Sequence, residues 1–285
     1  MKVLVLGATG MIGNAMFRVL GRDSSYEIVG TIRSESDRAF FDAEAVNRLV
    51  VGVDVENCDA LMRTFAAIRP DVVINCVGAT KHMASGRDAL TAIPLNALLP
   101  HRLAKLCEGY AARLIHVSTD CVFSGKQGNY RENVRPDAED VYGRTKALGE
   151  VDYPNTITLR TSTIGHELRG HLGLLEWFLA QPERCKGFRR AVFSGLPSVT
   201  FAQVVRDLVI PKQKLSGLFH VAGRPISKYD LLVNIADVYN KSIEVVADDT
   251  FVIDRSLNSD RFFDATGYRP PDWKTLIRAM HQDRQ

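Results

Sequence analysis

This 285-residue chain nowhere reaches the roughly 18 consecutive apolar residues that a membrane-spanning helix needs. Its opening MKVLVLGATG breaks at Gly7 before a signal-peptide core could form. Cysteine is scarce and odd in number. Cys58, Cys76, Cys107, Cys121 and Cys185 show no CxxC pair and the seven histidines no HExxH pair, which excludes a disulfide framework and gives no metal site to expect. An excess of one charge is also missing: 36 basic against 33 acidic side chains leave +3, too little for a general field toward nucleic acid or an anionic membrane. There is no internal repeat and no low-complexity linker. These absences together predict a cytoplasmic protein with reduced thiols, no nucleic-acid partner and no membrane partner.

What is present is a hydrophobic content of 46%, enough for a substantial core. Through the first 160 residues, short β-branched runs alternate with longer amphipathic segments, the pattern of βαβ units on a buried parallel sheet. Strands are expected at 2–6, 27–32, 49–53, 72–76, 113–118 and 156–160, with one more at 218–221. The segment MIGNAMFRVLG carries Ile12, Ala15, Met16, Val19 and Leu20 at helical spacing and stops at Gly21. Beyond about residue 163 prolines punctuate shorter elements. The expected class is α/β, a Rossmann-type doubly wound parallel sheet over 1–163. A smaller substrate-binding region over 164–285 would be partly interleaved with the sheet, leaving a cleft between the two.

In VLVLGATGMIG, Gly7, Gly10 and Gly13 fall between the first strand and the first helix at GxxGxxG spacing. A dinucleotide pyrophosphate needs a tight turn, a backbone with no Cβ in the way and free N–H groups at a helix start, and these glycines supply that room. Where an NAD enzyme carries an acid after strand two, this chain reads TIRSES. Arg33 suits a ribose 2′-phosphate and favours NADPH, while Glu35 leaves NADH open. Asp54, after strand three, is a candidate for the adenine amino group or simply closes its strand.

DVYGRTKALGE, residues 140–150, reads as a helix that puts Tyr142 and Lys146 four positions apart on one face. Together with the glycine turn and STDCVF after the fifth strand, YGRTK resembles the extended short-chain dehydrogenases/reductases. Within that superfamily the chain is most similar to the dTDP-4-dehydrorhamnose reductases, on NCVGAT at 75–80, LNALLPHRLA at 95–104, STDCVFSG at 118–125, VYGRTKALGE at 141–150, LRTS at 159–162 and RSLNSDRF at 255–262. The resemblance covers most of the chain and implies a catalytic triad of Thr119, Tyr142 and Lys146. By position it adds Met11, Ile12, Val55, Cys76, Val77, Gly78 and Asn96 to the cofactor site, with Tyr142 and Lys146 reaching the nicotinamide side. It puts Thr80, His82, Asp120, Phe123 and Thr163 at the sugar pocket and Arg255 at a phosphate. The implied partners are a nucleotide-diphosphate sugar and, as a homodimer, a second copy of the chain.

The implied chemistry is reduction of a 4-keto sugar. Hydride arriving at a carbonyl carbon leaves charge on oxygen, so a proton donor (Tyr142) and a hydrogen-bonding hydroxyl (Thr119) are needed. A phenol titrates near about 10. An ammonium about 4 Å away at an effective dielectric near 20 would favour the phenolate by about 4 kcal/mol, or about three units, which is the role expected of Lys146. The related 4,6-dehydratases carry Asp-Glu after the threonine, whereas Asp120 is followed here by Cys121, so the elimination machinery is incomplete and Cys121 is expected to pack. Thr163 replaces the tryptophan of RTSW in rhamnose-forming enzymes, which widens the pocket and admits a UDP-4-keto-6-deoxy-HexNAc. Arg184, Lys186, Arg189 and Arg190 form a basic cluster that suits a diphosphate or a solvated loop. Two other readings stay open: an NAD(P)-dependent epimerase, and a non-catalytic NADP-binding subunit like the regulatory subunit of methionine adenosyltransferase.

Overall fold

The computed structural model describes residues 1–80 and 84–283. Six strands, β1 (Lys2–Leu6), β2 (Glu27–Ile32), β3 (Leu49–Val51), β4 (Val72–Asn75), β5 (Arg113–Thr119) and β6 (Thr156–Thr161), join a seventh, Gly217–His220. The sheet order, from the seventh strand through β6, β5, β4, β1 and β2 to β3, is parallel throughout. The expected strands are therefore present, with small changes at their ends. β3 stops at Val51 because Gly52 turns to φ +76°, and β5 runs one residue further, to Thr119.

β1 explains why the sheet is covered on both faces. Val3 and Val5 point into one apolar cluster and Leu4 and Leu6 into another, and all four are fully buried. Side chains alternate across a strand, so a run of four apolar residues serves two layers. On one side lie the helices Cys58–Ile68 and Leu99–Gly109. On the other, α1 (Met11–Gly21) packs beside Ser198–Val204, Lys228–Val238 and Trp273–Gln282 in a core shared with the C-terminal region. Short strands missed in the sequence complete that region: Thr163–Ile164 pairs with Leu196–Pro197, Arg184–Phe188 with Glu244–Asp248, and Ala191–Phe193 with both Ile226–Ser227 and Ile253–Asp254. At two to five residues they are too short to print a period-2 pattern.

The sheet order reverses direction between β1 and β4, and in such folds ligands bind beyond the carboxyl ends of the strands at that switch point. Gly7, Arg33, Cys76 and Thr119 all lie at or just past those ends. The β1 turn is closed tightly. Gly7 takes φ +83°, the Gly10 amide donates to its carbonyl at 3.1 Å, and a Cβ on Gly13 would come within 2.0 Å of the same carbonyl oxygen. Gly13→Ala must therefore push α1 off β1. It should lower stability by about 1–3 kcal/mol, read as a lower urea midpoint, and weaken dinucleotide binding measured by fluorescence.

Candidate active site

The helix Val141–Leu148 starts where Asp140 caps it, its carboxylate accepting from the Gly143 amide at 2.7 Å. It comes unusually close to the end of β5: a Cβ on Gly143 would stand 2.3 Å from the Cys121 carbonyl oxygen. That approach brings its two functional side chains to the strand. Tyr142 comes up against Thr119, whose side chain acts on its phenol. Lys146, only 5% exposed, donates from Nζ to the Val117 carbonyl at 2.8 Å. Thr119 also donates to Asp120 Oδ1 at 3.1 Å and accepts from the Cys121 amide at 3.1 Å. Arg255 reaches the same turn, with Nε on the Phe123 carbonyl at 2.7 Å and Nη1 3.8 Å from the Cys121 sulfur.

The electrostatics correct the expectation that Lys146 acidifies Tyr142. Burial raises the phenol above its ordinary value, the neighbouring Asp120 and Asp140 push the same way, and the Thr119 side chain pulls it back. Lys146 spends a donor on Val117 instead and is itself lowered by burial to about 8, with Glu150 and Cys76 opposing. The Cys76 thiol is pushed up to about 12 by burial, which makes it an inert lining group.

Two asparagines shape the segment between β4 and the next helix. Asn75 accepts from the Val77 amide at 3.1 Å and its amide nitrogen meets His116 Nδ1 at 3.1 Å. Asn96 accepts from the Ala79 amide at 2.9 Å, donates to the Ala79 carbonyl at 3.0 Å and reaches Thr145 at 3.3 Å. Asn96 sits in a π-helical turn, Ile93–Leu98, a local irregularity often found at functional sites. The resemblance implies that Asn96 faces the cofactor; its side chain is instead fully buried and holds Ala79 in place.

The other candidates divide by exposure. Gly10, Arg33, Asp54 and Gly78 are exposed, and Gly7, Met11, Ile12, Cys76 and Val77 are half-buried along the same edge. Arg33 has no hydrogen-bond or ion-pair partner among the described residues. Asp54 accepts from the Glu56 amide at 3.0 Å, so it does close its own turn. Val55 is buried. Thr80 is exposed just past Ala79, and His82 lies outside the described residues. Thr163 is half-buried on its short strand, and Gly165 after it approaches the Met11 sulfur, which sets this strand beside the glycine turn. Phe123 does not line a pocket. It is fully buried, stacked on Tyr130 with ring centres 4.1 Å apart and covered by the Arg160 guanidinium at 5.0 Å. The basic cluster runs from the strand Arg184–Phe188 into the turn after it and is largely neutralised: Arg184 faces Glu244, Lys186 pairs with Asp248 at 3.0 Å and Arg189 with Asp249.

The residues present fit a dinucleotide. The Gly7–Gly13 cradle excludes side chains, and Arg33 offers an unpaired guanidinium beyond β2 where a 2′-phosphate would lie. Among the described residues no group of three or more His, Cys, Asp or Glu is placed to hold a metal, and no helix is long and apolar enough to cross a membrane.

A dinucleotide cradle with Thr, Tyr and Lys at the end of the fifth strand defines an NAD(P)-dependent oxidoreductase of the extended short-chain dehydrogenase/reductase type. More narrowly, the chain belongs to the family described as RmlD substrate binding domain, whose model matches residues 1–284. It is 26% identical to a dTDP-4-dehydrorhamnose reductase of Aggregatibacter actinomycetemcomitans, covering 97% of each chain. It is also 26% identical to methionine adenosyltransferase 2 subunit beta of Danio rerio, over 84% of this chain and 74% of that one. Its fold matches the crystal structure of a Bacillus anthracis dTDP-4-dehydrorhamnose reductase in complex with NADP at a TM-score of 0.81, with 19% identity, covering 99% of this chain and 98% of the other.

Two buried histidines behind the site make stability depend on pH. His220 is lowered to about 3 by burial and by Arg160, and His116 is lowered by burial and by Lys146. Their unfolded-state values lie near about 6.5. Their contribution is thus fully present above that pH and is lost as pH falls toward the folded values, at about 1.4 kcal/mol per pH unit for each histidine. Urea midpoints should fall between pH 6.5 and 4 and recover in part in His220→Gln. Separately, Arg33→Ala should weaken NADPH binding about 10- to 100-fold and leave NADH binding nearly unchanged, the loss expected for one charge-assisted contact; paired titrations with the two cofactors give the ratio.

Proposed function

We propose that this protein reduces the 4-keto group of a nucleotide-diphospho-4-keto-6-deoxyhexose with NADPH, in the making of a surface polysaccharide sugar. The observation that carries the reading is the approach of Tyr142 to Thr119 at the carboxyl end of β5, with Lys146, one turn further along the helix, seated on the Val117 carbonyl of that strand. Bound NADPH would supply the hydride. Thr119 and Tyr142 then hydrogen-bond the ketone oxygen, which fixes the carbonyl and stabilises the charge that develops on it. A phenol raised above its ordinary value stays protonated at neutral pH, so Tyr142 is ready as a general acid. Its proton still passes to the new alkoxide, which is far more basic than a phenolate.

Asp120 and Cys121 supply one carboxyl where water elimination would need an acid/base pair, which supports reduction over dehydration. Thr163 in place of a tryptophan supports a pocket that takes either a dTDP-6-deoxysugar or a UDP-linked 2-acetamido sugar. A second reading, a partner-binding subunit that keeps its cofactor, is favoured by the similarity to methionine adenosyltransferase 2 subunit beta.

NADPH consumption against dTDP- and UDP-linked 4-keto-6-deoxy sugars separates the two. A reductase turns over at least one of them, and Tyr142→Phe should cut kcat by about 10²–10⁴-fold with NADPH affinity kept. Turnover of none argues for the second reading; turnover with a Tyr142→Phe protein as fast as the wild type would remove Tyr142 as the general acid.

A further inference from the structure

The segment leaving β2 carries charges of both signs around the expected seat of the cofactor's 2′-phosphate. Arg33 is exposed there, and Ser34 next to it caps the 3₁₀ helix Glu35–Phe40, its Oγ accepting from the Ser36 amide at 3.3 Å. Glu35 pairs with Arg38 at 2.8 Å. Asp37 folds back on the same turn. Its side chain is only 5% exposed, and its Oδ2 accepts from the Ser34 amide at 3.4 Å. A carboxylate therefore stands against the backbone of the residue beside Arg33.

That charge is met from the C-terminal region. Arg169 Nη1 donates to Asp37 Oδ1 at 3.0 Å, and the guanidinium lies 5.8 Å from the centre of the Phe40 ring. Arg169 sits on the segment that leaves the short strand Thr163–Ile164 and passes the glycine turn at Gly165, where a Cβ would stand 3.5 Å from the Met11 sulfur. The segment is anchored on both sides of Arg169. His166 is held between Glu176 at 2.7 Å and the Tyr239 hydroxyl at 3.0 Å, and Glu167 accepts from the Leu172 and Gly173 amides at 3.1 and 3.0 Å.

We propose that Arg169 is a specificity-determining residue, which admits a 2′-phosphate by cancelling the charge of Asp37. The inference rests on the placing of Arg33 and Ser34 at the 2′ end of the cofactor. An acid after the second strand suits NAD, because it can accept from a ribose hydroxyl; the same charge repels a phosphate monoester, which carries about −1.5 to −2 at neutral pH. This chain has such an acid in Asp37, but its two oxygens are taken by the Ser34 amide and by Arg169. Arg33 is then left as the uncompensated charge at the turn. The Arg169 side chain is 64% exposed, so its ion pair adds little to stability, and its removal should act on the choice of cofactor more than on the fold.

The test is binding, read by fluorescence titration with NADPH and with NADH at low salt. Arg169→Ala should weaken NADPH about tenfold, as one uncovered charge near a phosphate would, and leave NADH within about twofold. Adding Asp37→Asn, which keeps the shape and an acceptor for the Ser34 amide, should bring the NADPH/NADH ratio back toward wild type. The loss in Arg169→Ala should also shrink in about 0.5 M salt. An unchanged ratio in Arg169→Ala overturns the proposal, as does equal weakening of both cofactors, the result of a merely structural role. A double variant as weak for NADPH as Arg169→Ala overturns it too, because Arg169 would then meet the phosphate itself. If Arg169→Ala does not fold, Asp37→Asn alone decides: NADPH held at least as tightly as by wild type supports the proposal, and a selective loss of NADPH overturns it. Since each variant is scored by a change of ratio, a wild type that prefers NADH loses only the NADPH reading, and the effect of Arg169 on Asp37 is still measured.

Discussion

The site depends on one buried ammonium. Lys146 is a costly residue to enclose, and the Val117 carbonyl is where its charge is lodged. That bond draws a helix of only eight residues down onto β5, and Gly143 allows the backbones to close. With the helix so placed, Tyr142 can meet Thr119, and the phenol enters surroundings that hold its proton. Loss of the lysine bond would free the helix, and with it the spacing between the two hydroxyls.

Around that contact the fold assembles its parts from separate lengths of chain. The glycine turn after β1, the Asn75- and Asn96-braced segment after β4 and the turn after β5 converge because parallel strands all present their carboxyl ends to one edge. The asparagines satisfy backbone groups that would otherwise be unpaired in a buried place. Polar residues near this site thus serve two ends. Some face the edge where a ligand would lie, and others, fully buried, fix the segments that do.

Much of this was legible in the linear chain. The strand runs of β1, β2 and β4–β6, the glycine spacing and the Tyr/Lys face are local patterns, and the matching elements are present. The misreadings share a cause. Phe123 and Asn96 were assigned to ligands because of their positions, yet whether a side chain points outward or inward there is set by what packs on it: Tyr130 and Arg160 in one case, Ala79 and Thr145 in the other. The basic run at 184–190 likewise reads as free charge until a strand sixty residues later lies alongside and neutralises much of it.

By itself the sequence determined the layered α/β architecture, the dinucleotide turn and the four-residue spacing of phenol and amine, because periodicity and steric room are properties of neighbouring residues. Only the tertiary structure decided the protonation preferences. The acidity of Tyr142 and Lys146 follows from burial and from the carboxylates near them, Asp120 for the phenol and Glu150 for the amine. Glu150 in turn is oriented by Ser118 and Arg160, from two different strands. Burial and cross-strand partnership arise only when distant segments meet, and no local pattern encodes them.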